Sequence, residues 1–67
     1  MNITADKSDA LMHIDALIDE ITEERNEYEA KFRSEVNIAN RSYYQGISVG
    51  HLHDIQRLER LRRMLSA

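Results

Sequence analysis

The chain has no cysteine, no proline and no tryptophan. Without cysteine it can form neither disulfides nor thiolate metal sites. That absence fits a reducing compartment, and the expected location is the cytoplasm. Without proline, no residue forces a helix to stop. Glycine is confined to Gly46 and Gly50, and the aromatic residues are three tyrosines and one phenylalanine. No apolar run approaches the roughly 18 residues of a membrane-spanning helix, so no membrane partner is expected. Residues Met1 to Ala10 include two aspartates and no apolar stretch, and they do not read as a secretory signal.

The 67 residues are 31% charged and rich in strong helix formers, which points to one all-α domain. Two helices that each show one apolar stripe cannot enclose a core. Chains this small draw stability from disulfides, metal or oligomerisation. With disulfides and thiolate sites excluded, self-association or docking on a partner remains.

Two apolar stripes run along the sequence. The first is Leu11, Ile14, Ile18, Ile21, Arg25, Tyr28 and Phe32. The second is Tyr43, Ile47, His51, Ile55, Leu58, Leu61 and Leu65. Folding the chain back near residue 38 pairs Leu11 with Leu65, Ile14 with Leu61, Ile18 with Leu58 and Ile21 with Ile55. Arg25 then meets His51, Tyr28 meets Ile47 and Phe32 meets Tyr43. The spacing predicts a first helix over about 8–34, capped by Thr4, Asp6 or Ser8. A turn is expected over about 35–41, where Asn37 and Asn40 compete with helical hydrogen bonds. A second helix is expected over about 42–65, opened by the capping box Ser42-Tyr43-Tyr44-Gln45. The result is an antiparallel helical hairpin, expected to self-associate into a four-helix bundle. One long helix of about 100 Å, paired with a second copy, would form the same layers between chains. A turn at Gly46–Gly50 would destroy them.

Charge is uneven. Residues 1–35 hold ten acids and four bases, and residues 36–67 hold two acids and five bases. An antiparallel hairpin lays Arg57, Arg60, Arg62 and Arg63 beside Asp15, Asp19, Glu20, Glu23 and Glu24. Acids near the first helix's start and arginines near the second's end also suit both macrodipoles. Exposed pairs contribute about 0–1 kcal/mol each, so they select orientation more than they stabilise.

Arg25, His51 and Asp54 are expected to form a structural polar layer, with Asp54 one turn from His51 and within reach of Arg25. The alternative is an Arg25 that snorkels and a half-exposed His51. No nucleophile or oxyanion donor accompanies the His–Asp pair, so no catalytic residues and no cofactor are assigned. His51 and His53 are two apart on a helix and point away from each other, so no metal site is assigned either.

Ser42, Gly46 and Gly50 align on one flank of the second helix, continued by His53, Arg57 and Met64. Helical glycines cost about 1 kcal/mol each relative to alanine. Two of them one turn apart point to close approach by another backbone. Ser42, Tyr44, Gly46, Gly50 and Arg57 are therefore the candidate partner-binding residues, because tyrosine and arginine are favoured interface anchors. The arginine cluster offers an alternative as a nucleic-acid-associated regulator, but no recognition motif or stacking platform accompanies it.

The segment Tyr43-Tyr44-Gln45-Gly46-Ile47-Ser48-Val49-Gly50-His51-Leu52 follows an acidic first helix and a short polar loop. That arrangement resembles small phage and prophage helical accessory proteins carrying Tyr-x-x-Gly and then a second small residue. The resemblance implies a compact accessory protein that binds host or defence machinery in the host cytoplasm, and it implies no catalytic residues. The expected function is stoichiometric, non-enzymatic binding or inhibition of a larger protein by a homodimer. A purely structural oligomerisation module is the other alternative.

Overall fold

The computed structural model describes the backbone of residues 3–66 and the side chains of residues 7–66. Two α-helices, α1 (Ile3–Ser34) and α2 (Ile38–Ser66), pack side by side as a hairpin about 54 Å long. The single long helix is thereby excluded, and so is a turn at Gly46–Gly50, which lies inside α2.

The turn is three residues, 35–37, much tighter than 35–41. The last turn of α1 continues as far as Glu35, whose N–H donates to the Lys31 carbonyl at 3.0 Å. The Glu35 carboxylate accepts from the Asn37 N–H at 3.0 Å. Asn37 is the cap of α2. Its Oδ1 accepts from the Asn40 N–H at 3.1 Å, and its carbonyl accepts the first helical bond, from the Arg41 N–H, at 2.9 Å. Ser42 therefore lies one turn inside the helix and caps nothing. With no proline to oppose it, each residue added ahead of Ser42 gains a helical bond, and propagation is cheap once the helix exists. At the other end α1 begins at Ile3, so Thr4, Asp6 and Ser8 lie within it. Any capping by the Thr4 or Asp6 side chain falls outside the described residues.

The predicted register holds to within a residue. Asp15 pairs with Arg62, one step from the Ile14–Leu61 layer, and Glu24 pairs with His51, one step from Arg25–His51. Rotation of α2 about its own axis differs from the prediction. Ile14 and Ile55 are buried, as their stripes require, but Ser48 is buried as well. Tyr44 turns in to lie 6.1 Å from Tyr28, centroid to centroid. Tyr43 and Leu61, both assigned to the seam, are 65% and 43% exposed. The Tyr28–Ile47 and Phe32–Tyr43 layers give way to Tyr28 against Tyr44 and to Arg41 stacked on Phe32 at 5.1 Å. The apolar arc of α2 is wider than the seam. The half that faces inward is the one offering a small residue, Ser48, where the bulky Arg25 and Phe32 of α1 come close.

Candidate functional site

The polar layer exists with different partners. Arg25 reaches along its own helix to Glu29, Nη2 to Oε1 at 3.0 Å. This is an i,i+4 pair, the spacing at which helix neighbours meet. His51 crosses the seam to Glu24, Nε2 to Oε2 at 3.2 Å, and its ring lies 5.7 Å from Tyr28. Asp54 is exposed and takes no part in the layer. The inward turn of Tyr44 and Ser48 carries Asp54 round toward the rim, away from Arg25. Glu24 and Glu29, which complete the layer, were missed. Glu29 was readable as the i+4 acid of Arg25; Glu24 was not, because it lies at the edge of the stripe. The layer is imperfect: Arg25 Nε and His51 Nδ1 are buried with no hydrogen-bond partner.

An aromatic cluster continues from this layer toward the turn. Tyr28 touches His51 and Tyr44, Tyr44 touches Tyr43 at 5.7 Å, and the Lys31 ammonium sits 4.8 Å above the Tyr28 ring. Tyr44, expected among the partner-binding residues, is thus half-buried in this packing. Tyr43 is the tyrosine that projects outward.

The glycine flank lies on the outer face of α2, directed away from α1. A Cβ at Gly46 or Gly50 would meet nothing within 4 Å. Neither glycine has a positive φ. Close approach within the hairpin therefore does not explain them. Ser42, His53, Arg57 and Met64 are exposed on the same face. Of the arginine cluster, Arg62 is committed to Asp15, Nε to Oδ1 at 2.6 Å and Nη2 to Oδ2 at 3.4 Å. The hydrogen bond first, and the carboxylate charge second, raise the Arg62 pKa, so the guanidinium stays charged at any physiological pH. Arg57, Arg60 and Arg63 are exposed and follow one another at i,i+3 spacing along α2.

Two shallow grooves flank the seam. One of about 150 Å³ is lined by Arg25, Glu29, Phe32, Gln45, Ser48, Val49 and Leu52. The other, about 240 Å³, lies near the turn beside Phe32, Ile38, Arg41, Ser42 and Gln45. Both are open and smaller than the roughly 300–1,000 Å³ typical of small-molecule sites. Among the described residues no group of three His, Asp or Glu side chains is placed to hold a metal ion. Among them, too, no helix is long and apolar enough to cross a membrane. Comparison with protein families, characterised proteins and solved structures finds no match for this chain.

Proposed function

We propose that this protein is a small binding module that self-associates as a four-helix bundle and acts stoichiometrically by occupying a surface on a larger protein. It performs no turnover. The observation that carries this reading is the outer face of α2. There Gly46 and Gly50 leave room for another backbone, with the exposed Tyr43 and Arg57 beside them. A strip without side chains lets a partner helix or strand come to van der Waals distance, and flanking Tyr and Arg are the favoured anchors of such contacts. The shallow grooves support the same reading, because they offer a substrate no water-excluded volume. The resemblance of the Tyr-x-x-Gly segment to small phage accessory proteins favours a host or defence protein as the target.

The test is a paired capture and titration. A target retained by the wild type should be lost with Gly46→Glu, whose side chain fills the strip. Its activity should change with added protein up to a fixed molar ratio and no further. An effect at far below stoichiometric amounts would overturn the reading. Retention of no protein at all would leave a purely structural oligomer.

A further inference from the structure

We propose that a second copy of this chain covers the flank of the hairpin marked by Leu17 on α1 and Leu61 on α2. The two-fold axis runs along the hairpins, so that the acidic α1 of each copy lies against α2 of the other. This rests on the reading of the chain as a self-associating module. It adds the face, the contacts and the direction.

The face follows from helical geometry. Residues seven apart lie on nearly one line of a helix. The 150 Å³ groove marks one flank of the seam, with Glu29 on α1 and Gln45 and Leu52 on α2. The lines Leu17–Glu24–Lys31 and Ile47–Asp54–Leu61 run along the other flank, where the Glu24–His51 pair closes the seam. Leu17 is 45% exposed and Leu61 43%, and half-buried Ile21, Ile47 and Leu58 lie beneath them. Against Val49 alone among the exposed large apolar residues lining the groove on the other flank, the apolar arc of α2 spills furthest out of the intrachain seam on this one, at Tyr43 and Leu61. A covering surface there continues the hydrophobic layer already present.

The occupant follows from area. The chain exposes 5236 Å², whereas a folded monomer of 7.8 kDa is expected to expose roughly 4,400 Å². The excess is about the 800 Å² that each partner buries in an interface of standard size. Among the described residues no side chain is fully buried. One more hairpin laid against this flank supplies that area and gives the seam residues a second neighbour.

The direction follows from charge. If the copies ran antiparallel with α1 on α1 and the axis near Thr22, Glu20 of each copy would face Glu24 of the other. With the axis along the hairpins, residues at one level of α1 meet the same level of α2 in the other copy. Leu17 then meets Leu58 and Leu61 of the second copy, and Glu20 lies within a turn of its Arg57. Gly50, on the line of Tyr43 and Arg57, adds no side chain where that α1 comes close. Gly50 and Arg57 of the outer face thus serve the second copy, and the strip around Ser42 and Gly46 stays open for the larger target.

Sedimentation of the full chain should show a dimer, and a monomer at 100 µM would overturn the proposal. Leu61→Glu should raise the dimer dissociation constant at least tenfold. Val49→Glu, at a site 44% exposed on the groove flank, should leave it unchanged; equal effects of the two would refute the choice of face. Should Leu61→Glu fail to fold by circular dichroism, a charge swap decides instead. Arg57→Glu should weaken the dimer, and adding Glu20→Arg should recover it; no recovery refutes the contact. The chain has no cysteine, so Val36→Cys in the turn takes a single spin label. The proposed axis puts the two backbone positions roughly 10–20 Å apart, given interaxial distances of 8–10 Å. A separation near the 54 Å length of the hairpin means the copies run antiparallel and overturns the arrangement. A monomer that still captures its target would refute this dimer and leave the binding reading standing.

Discussion

Replacing Arg25 with methionine should make the hairpin more stable. Arg25 is half-buried in the seam, its Nε has no partner, and its ion pair among the described residues is with Glu29 on its own helix. A buried donor left unpaired costs about 1–3 kcal/mol. The Arg25 side chain keeps 28% of its surface exposed, so the low end of that range applies. Against this gain stands the i,i+4 pair, about 0.3–0.5 kcal/mol. Methionine has a similar helix propensity and preserves most of the apolar stem, so neither helix formation nor packing changes much. The balance is a gain of about 0.5–1 kcal/mol. A domain of this size has a total stability of roughly 3–10 kcal/mol, so the change is measurable. The assay is urea unfolding followed by helical circular dichroism at one fixed protein concentration, because association shifts apparent stability. With a slope near about 1 kcal/mol per molar urea, the midpoint should rise by about 0.5–1 M at unchanged slope. Arg25→Ala is the control: it discards the stem along with the charge, and the midpoint should fall. A fall for Arg25→Met as well would mean that the guanidinium is properly solvated or paired, and would refute this account of the polar layer.

Three further outcomes follow from the observed packing. Tyr44→Ala should cost about 2 kcal/mol in the same urea assay, from partial burial and the ring contact with Tyr28. If Tyr43→Ala destabilises the isolated chain as much as Tyr44→Ala, the inward rotation of Tyr44 is wrong. Ile55→Ala removes a buried side chain of the seam and should cost about 2–4 kcal/mol, the largest drop in urea midpoint of these variants. Asn37→Ala should cost about 1 kcal/mol through loss of the α2 cap, while Ser42→Ala should change the urea midpoint hardly at all.

The hairpin and its register were legible because they rest on many residues at once. Seven layers on each helix, a polar break at matching places and complementary charge all fix the same alignment. Rotation and boundaries were not legible, because each rests on few residues. On α2 the apolar positions spread from Val49 and Leu52 on one side to Tyr43 and Leu61 on the other, an arc wider than one neighbour can cover. Hydropathy alone cannot say which half turns inward. Ser48 decides it by size, and a serine gives no apolar signal. The sequence predicts a start of α2 at the capping box of Ser42, with Asn37 as a turn residue, but Asn37 is the cap. The earlier one wins because nothing between them blocks a helix, so the longer helix gains another turn of bonds. The Asp54 assignment failed with the rotation, since a fraction of a turn separates a seam residue from a rim residue.

The width of that arc also bears on what the hairpin is for. A stripe matched to a single neighbour would have placed Tyr43, Leu61 and Leu17 inside and made the rotation obvious. Here apolar side chains continue past the seam on both sides, Leu17, Tyr43 and Leu61 on the flank away from the groove and Val49 on the groove flank, where Glu29 and Gln45 bound it. An apolar surplus beyond the seam, larger on the flank away from the groove, in a hairpin where no described side chain is fully buried, costs solubility and gains nothing for an isolated hairpin. It becomes useful when a second hairpin covers it. Two wide stripes packed on each other then turn a pair of seams into one core. On this argument the feature that made α2's orientation ambiguous in the sequence is the feature by which the chain associates.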